Sequence, residues 1–164
     1  MLLAVVSAGT AVAADTAPPR AELPDVNLIS AQGSVQPLKA TLGRATVLNF
    51  WATWCGPCRI ELPELQELYN ELAGKGVVVL AINVDSPRQH VEPFLKRNNL
   101  SLPVFFLEPD AEAALAIRSL PTTVLLDADG KVVNVWAGYS EEAMRDLRGQ
   151  AEGLLAQSRG RGGK

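Results

Sequence analysis

Residues 46–62 read TVLNFWATWCGPCRIEL, and this stretch contains the only two cysteines of the chain, Cys55 and Cys58. A nearly continuous apolar run leads into the pair, and leucines at helical spacing follow it. Two thiols separated by two residues cannot brace distant parts of a fold, but they can form a small disulfide that opens and closes. A strand, a CxxC pair and a helix in this order are typical of a thiol redox site.

The position of the pair predicts the role of each thiol. A cysteine at the start of a helix meets unpaired backbone N–H groups and the positive end of the helix dipole, and both stabilise a thiolate. We therefore expect Cys55 to be the nucleophile and Cys58, one turn further in, to be the shielded thiol that resolves the mixed disulfide. Gly56 and Pro57 separate them, and Pro57 stiffens the loop without loss of a helical hydrogen bond. An inert buried pair is the alternative that this context disfavours.

Three other side chains near the pair are candidates for a functional role. Trp54 immediately precedes Cys55 and offers a flat wall for a substrate chain. Glu61 follows Cys58 by three residues, so a helix places both on one face, where the carboxyl can accept the thiol proton as a general base. From the residues alone, a solvated glutamate is the alternative. Asn49, on the apolar strand, can form hydrogen bonds but cannot titrate.

Composition excludes several classes of function. The chain has 164 residues, about half of them apolar, which suffices for one domain with its own core. A net charge of −3 without a basic stripe gives no reason to expect nucleic-acid binding. A structural zinc site requires four ligands, whereas this chain offers two cysteines and one distant histidine, His90, which we expect to be exposed. No metal or other cofactor is expected.

The chain divides into four predicted segments. Residues 1–14 are apolar and uncharged, and Ala11-Val12-Ala13 resembles a signal-peptide cleavage site. The stretch is shorter than the roughly 20 residues of a membrane span, and no basic residue precedes it, so a truncated anchor is the alternative to a signal peptide. Residues 15–25 are predicted to be a linker, 26–156 the folded domain and 157–164 a flexible tail.

Hydrophobic periodicity predicts an α/β fold with a mixed sheet and helices on both faces. In the helix that begins near Pro87, Ser86 is the expected cap. Trp51 and Trp136 are assigned to the core. The predicted elements are a hairpin over 26–38, a strand over 45–51, a helix from the CxxC motif to about 73, a strand over 77–82, a helix over 87–98, a strand over 104–107, a short helix over 110–117, strands over 122–126 and 132–136, and a helix over 140–155.

Two segments carry a family resemblance. Residues 49–63, NFWATWCGPCRIELP, resemble the active-site segment of the TlpA/ResA-like thiol-disulfide oxidoreductases, which are exported members of the thioredoxin superfamily. Residues 120–127, LPTTVLLD, resemble the second signature of that family. The resemblance covers about residues 26–155 and implies a thioredoxin-like fold. Ser119 departs from the family pattern, because many relatives have glycine there.

The resemblance also implies roles for individual residues. Cys55 is expected to be the exposed nucleophile, and Cys58 the buried resolving thiol. Pro121 is expected to follow a cis peptide bond and to contact the substrate, while Leu120 presents backbone groups to an extended chain. A trans Pro121 before a strand is the ordinary expectation from the residues alone. A glutamate at the position of Glu61 tunes the cysteines in this family.

The function expected from these observations is the reduction of client disulfides by a monomeric protein, soluble or membrane-anchored, in the periplasm or another extracytoplasmic compartment. The resemblance implies clients such as apocytochrome c or copper-delivery proteins of oxidase assembly, and a membrane thiol-electron donor. The Gly-Pro pair between the cysteines is shared with strongly reducing thioredoxins and favours a reductase. Asn49 stands where cytoplasmic thioredoxins have an aspartate, which argues against that class.

Three other functions are alternatives to this one. A disulfide-forming oxidant uses the same pair in the opposite direction. A non-catalytic thioredoxin-like module binds unfolded chains in the groove at Pro121 and does not need its thiols. A peroxiredoxin is disfavoured, because Leu48 and Ala52 stand where those enzymes have proline and threonine.

Overall fold

The computed structural model describes residues 21–109 and 111–161. Within them the backbone forms seven strands and four α-helices. The strands are β1 (Asn27–Ser30), β2 (Val35–Pro37), β3 (Ala45–Trp51), β4 (Val77–Asn83), β5 (Val104–Leu107), β6 (Thr122–Asp127) and β7 (Val132–Ala137). The helices are α1 (Gly56–Leu72), α2 (Val91–Arg97), α3 (Ala111–Ala114) and α4 (Glu141–Arg161).

The strands form one mixed sheet in the order β2-β1-β5-β4-β3-β6-β7. Strands β3, β4 and β5 are parallel, and the other neighbours are antiparallel. Parallel neighbours need a crossover, which α1 provides between β3 and β4, and α2 between β4 and β5. All seven residues of β3 are buried, because this strand lies inside the sheet and both of its faces are covered. The predicted α/β fold is confirmed.

Alternate side chains of β3 enter two hydrophobic clusters on opposite faces of the sheet. Val47 and Trp51 pack under α1, α2 and α4, whereas Leu48 and Phe50 pack on the face covered by α3. This alternation is the two-residue period of a strand. The helical residues of the first cluster include Leu62, Leu65, Leu68, Leu72, Phe94, Leu147 and Ala151. Helices therefore cover both faces, and Asn49 shares its face of β3 with Val47 and Trp51.

Helix α1 begins directly after Cys55, which occupies the N-cap position. Its buried face contains the leucines that the sequence predicted. Ile60 is also apolar and lies among these leucines in the sequence, but it is not part of the buried face, since 58% of its surface is exposed. A period of 3.6 residues rotates Ile60 by about 200° from Leu62, so the two side chains lie on opposite sides of the helix.

Two predicted helices are shorter than expected. The helix predicted over 87–98 begins as a 3-10 turn at Arg88 and becomes α2 only at Val91, while Pro87 is extended at φ −80° and ψ 152°. Ser86 is therefore not the cap. The guanidinium of Arg88 instead donates to the carbonyl of Leu107 at 2.8 Å and lies over the ring of Phe106, which holds the segment against β5.

Helix α3 covers only four of the residues predicted over 110–117, and Asp110 lies outside the described residues. The backbone leaves the helix where Ala116 takes a positive φ of 54°. This turn directs Leu115 into the second core cluster. The end of this helix therefore coincides with the positive φ of Ala116 and the burial of Leu115, which periodicity alone does not reveal.

Differences from the predicted structure also occur at the C-terminal end of the chain and at Trp136. Helix α4 continues to Arg161, into the segment predicted as a flexible tail from 157. Trp136 is half-buried, and its indole N–H donates to Asp146 on α4 at 3.2 Å, so its assignment to the core was only partly correct. His90 is exposed, as predicted. The predicted signal peptide or anchor over 1–14, most of the linker and residues 162–164 lie outside the described residues. Among the helices that are described, none is both long enough and apolar enough to span a membrane.

Candidate active site

Cys55 and Cys58 form a disulfide at the N-terminus of α1, with their Cα atoms 5.3 Å apart. The sulfur of Cys55 accepts a hydrogen bond from the backbone N–H of Cys58 at 3.2 Å. Cys55 is 5% exposed and Cys58 is fully buried. The order of exposure agrees with the expected roles, although in the disulfide form Cys55 shows little surface. An N–H that points at this sulfur stabilises a thiolate there when the disulfide opens.

A buried carboxylate anchors the loop that precedes the pair. Asp85, just after β4, accepts hydrogen bonds from the backbone N–H of Thr53 at 2.9 Å and from its hydroxyl at 3.0 Å. It also accepts one from the Asn83 side chain at 2.8 Å. Because Thr53 directly precedes Trp54 and Cys55, Asp85 holds the conformation of the loop that leads to the reactive sulfur. No local sequence signal marks Asp85, since a contact between the end of β4 and this loop depends on the tertiary fold.

A groove of about 510 Å³ lies beside the disulfide. Trp54, with 71% of its surface exposed, and Leu120 both line it. Pro121, behind Leu120, is buried, and the peptide bond between them is cis, as the resemblance implies. The lining consists of Trp54, Cys55, Gly56, Pro57, Val84, Glu112, Ile117, Arg118, Ser119 and Leu120. The structure thus gathers Trp54, the CGP segment and Leu120 around one opening.

Part of this lining was missing from the sequence prediction. Val84, Glu112, Ile117 and Arg118 come from the end of β4 and from the segment around α3. Glu112 and Arg118 are exposed and bring both signs of charge to the groove. They lie at least 54 positions from the CxxC motif in the chain, so only the fold reveals their proximity.

Glu61 lies beneath the cysteine pair in a buried polar cluster. It is 2% exposed, so the alternative of a solvated glutamate is wrong. One carboxylate oxygen accepts a hydrogen bond from the amide nitrogen of Asn49 at 2.8 Å, and the other accepts one from the hydroxyl of Thr123 at 2.9 Å. The amide of Asn49 also donates to the oxygen of Thr123 at 2.9 Å. The three side chains close a ring in which all hydrogen bonds are consistent with an ionised carboxylate.

The surroundings of Glu61 raise its pKa above its ordinary value. Burial is the largest cause, because it disfavours the charged form, and the nearby charge of Glu64 acts in the same direction. The hydrogen bonds from Asn49 and Thr123 oppose this rise in pKa. A carboxyl with a raised pKa is a better match for a thiol proton than an exposed one, which suits the role of general base.

The described residues contain no group of three or more histidine, cysteine, aspartate or glutamate side chains positioned to hold a metal ion. The candidate site therefore consists of the disulfide, the groove and the buried acid. An electron pair can pass between this disulfide and a dithiol bound in the groove, and a proton can pass to the acid beneath it.

Comparisons with known proteins identify the family of the chain. The Redoxin family matches residues 18–151. Thiol-disulfide oxidoreductase ResA of Geobacillus thermodenitrificans is 39% identical over 116 residues, which cover 70% of this chain and 67% of that protein. ResA of Bacillus subtilis is 34% identical over 125 residues, which cover 75% of this chain and 69% of that protein.

Solved structures give the same result for the fold. A thiol:disulfide interchange protein of the thioredoxin family from Chlorobium tepidum superposes with a TM-score of 0.66 at 28% identity, and covers 85% of this chain and 98% of its own. StoA from Bacillus subtilis superposes with a TM-score of 0.62 at 26% identity, and covers 74% of this chain and 92% of its own. The chain belongs to the Redoxin family and, within the thioredoxin superfamily, is a ResA-like thiol-disulfide oxidoreductase.

Proposed function

We propose that the protein is a reductase of client disulfides that acts as a monomer in the periplasm or another extracytoplasmic compartment. The observation that supports this best is the Cys55–Cys58 pair at a helix N-terminus, beside an open groove and above a buried acid. Apocytochrome c and the copper-delivery proteins of oxidase assembly are the proposed clients, and a membrane thiol protein is the proposed electron donor.

The reaction consists of two exchanges. The thiolate of Cys55 attacks one sulfur of the client disulfide, which forms a mixed disulfide and releases the other client sulfur as a thiolate. Cys58 then loses its proton and attacks the sulfur of Cys55, which expels the second client thiolate and closes the Cys55–Cys58 disulfide. The client gains two electrons, and a reduced dithiol protein must return two electrons to the pair before the next cycle.

The buried acid supports the reducing direction. A thiol redox protein is a strong oxidant when its reduced form is stabilised, because the thiolate then leaves readily. Glu61 lies one turn after Cys58 on α1, and both are buried. A carboxylate at this depth disfavours negative charge on the nearby sulfur, and therefore favours the disulfide over the thiolate. The Gly56–Pro57 pair, shared with reducing thioredoxins, points the same way.

The equilibrium reduction potential of the cysteine pair tests this proposal. Tryptophan fluorescence follows the pair in thiol/disulfide buffers, since Trp54 adjoins Cys55. A value near or below about −220 mV supports a reductase. A value near about −120 mV contradicts it and makes the protein an oxidant of client thiols.

A double Cys55→Ser, Cys58→Ser variant separates catalysis from binding. A reductase loses all reduction of a protein disulfide in this variant, whereas a binding module retains its effect on unfolded chains. Export is tested by fractionation of cells that express the full chain, and release of the protein with the periplasmic fraction is the expected result.

A further inference from the structure

Asn49 and Thr123 form a cross-strand pair beneath the active site. They are direct partners in the antiparallel register of β3 and β6, and both are buried. Their hydrogen bonds reach different oxygens of Glu61, at 2.8 Å from the Asn49 amide and at 2.9 Å from the Thr123 hydroxyl. Neither side chain carries a charge. Each oxygen of the Glu61 carboxyl thus accepts a hydrogen bond from an uncharged side chain.

We propose that Asn49 and Thr123 are positioning residues, which keep Glu61 an ionised carboxylate and aim it to take the proton of Cys58 in the second exchange. The inference rests on the proposed function and deepens it. In the proton transfer the S–H bond of Cys58 breaks and an O–H bond forms on Glu61. The electron pair left on sulfur then attacks Cys55, so no further reactant is needed.

The ring of hydrogen bonds supplies one donor to each oxygen of an ionised Glu61 carboxylate. A buried carboxylate without donors would lose its charge, and a protonated acid cannot accept the thiol proton. The hydroxyl of Thr123 is itself oriented, because the Asn49 amide donates to its oxygen at 2.9 Å and leaves its proton directed at Glu61. Loss of one hydrogen bond to a charged group typically changes an equilibrium by about tenfold or more.

Other groups near Glu61 do not replace this pair. From α1, the charge of Glu64 raises the pKa of Glu61. Tyr139, which follows β7, donates its hydroxyl to Glu64, and this bond raises the pKa of Tyr139 to about 12, so it remains neutral. Strands β3 and β6 contribute only the uncharged Asn49 and Thr123. Among the described groups that act on Glu61, these two lower its pKa by hydrogen bonding.

Thr123→Val removes the hydroxyl at nearly constant volume, and Thr123→Ser retains it. The first readout is the pH titration of the Glu61 side-chain carboxyl by ¹³C NMR in the oxidised protein, which requires no activity. The valine variant is expected to titrate at higher pH than the wild type, and the serine variant close to it. If the valine variant does not fold, Thr123→Ala tests the same bond.

The second readout isolates the proton-dependent step. The reduced protein is mixed with an aromatic disulfide that releases two coloured thiols in two phases. The first thiol leaves when Cys55 attacks the reagent, and the second leaves when Cys58 attacks the mixed disulfide at Cys55. At mildly acidic pH the valine variant should slow the second phase about tenfold and leave the first unchanged. The serine variant should restore the second phase, and the difference should vanish at alkaline pH.

Two results would overturn the proposal. One is a Glu61 titration that does not move in the valine variant. The other is a second phase slowed equally at every pH and not restored by serine, which would indicate a purely structural role for Thr123. Failure of the reductase function is distinguishable, since it would appear as a high reduction potential in the wild type while the Glu61 titration still moved.

Discussion

Replacing Glu61 with glutamine tests whether ionisation of the buried carboxyl costs the folded protein stability. In the unfolded chain this group ionises near its ordinary pKa of 4.5, whereas burial raises its pKa in the folded protein. Between these two values the unfolded state binds fewer protons than the folded state. The free energy of unfolding of the wild type should therefore fall as the pH rises from about 4.5, and then level off above the folded pKa.

The slope of the free energy of unfolding against pH follows from the one proton that the folded state binds and the unfolded state does not. Each pH unit between the two pKa values should remove roughly 1 kcal/mol of stability from the wild type relative to Glu61→Gln. Glutamine has nearly the same shape, and its new amide can be accommodated. The side-chain oxygen of Asn49 is buried and has no hydrogen-bond partner within the described part of the chain, so rotation of the Asn49 amide can present an acceptor.

The assay is urea unfolding of the oxidised protein at a series of pH values, with the difference in free energy of unfolding taken between variant and wild type. Glu67→Gln is the matched control, because Glu67 lies on the same helix and is exposed. Its difference from the wild type should stay nearly constant. The reasoning is refuted if the Glu61→Gln difference is equally flat, or if the wild type gains stability relative to this variant as the pH rises.

Four further substitutions test the rest of the site and its support. Leu62→Ala should lower the free energy of unfolding by about 2–5 kcal/mol because Leu62 is fully buried, whereas Ile60→Ala on the exposed side should change it by less than about 0.5 kcal/mol. Urea unfolding of both variants measures this difference, and similar losses would contradict the assigned faces of α1. Trp54→Ala should raise the KM for a protein disulfide several-fold with little change in unfolding, since Trp54 is an exposed groove wall, and an unchanged KM would remove it from the client site. Asp85→Ala should lower the free energy of unfolding by about 1–3 kcal/mol and slow the attack of Cys55 on a disulfide, because it leaves the Thr53 N–H without its acceptor. A variant with unchanged stability and an unchanged rate of attack by Cys55 would show that the loop does not need this anchor.

The sequence predicted the elements next to the cysteines well because local signals agree there. Strand β3 is a continuous apolar run that needs cover on both faces, and Cys55 and Pro57 mark the start of α1. Strands β6 and β7 were likewise predicted to within one residue of their observed bounds. In each of these cases residues close in the chain determine the structure.

The predictions were wrong or incomplete where contacts between residues far apart in the chain determine the local structure. The side chain of Arg88 is bonded to β5, and α3 ends next to the buried Leu115. The residues near these positions in the sequence do not indicate either feature. Thr123 lies within the second family signature, but its hydroxyl gained a role only when the register placed it opposite Asn49. The burial of Glu61 was likewise open until the fold placed α1 over this face of the sheet.

The same register links the two family signatures through one carboxyl. Asn49 and Glu61 are 12 positions apart, whereas Thr123 lies 62 positions after Glu61. Side chains of a strand alternate between faces, so a slip of one residue between β3 and β6 would move one of the two donors to the opposite face. An oxygen of Glu61 would then lie buried without a donor, at a cost of about 1–3 kcal/mol. The strand that begins beside the groove at Pro121 therefore also provides a donor to the acid beneath the cysteines, and the polar cluster favours the one register in which both parts of the site form.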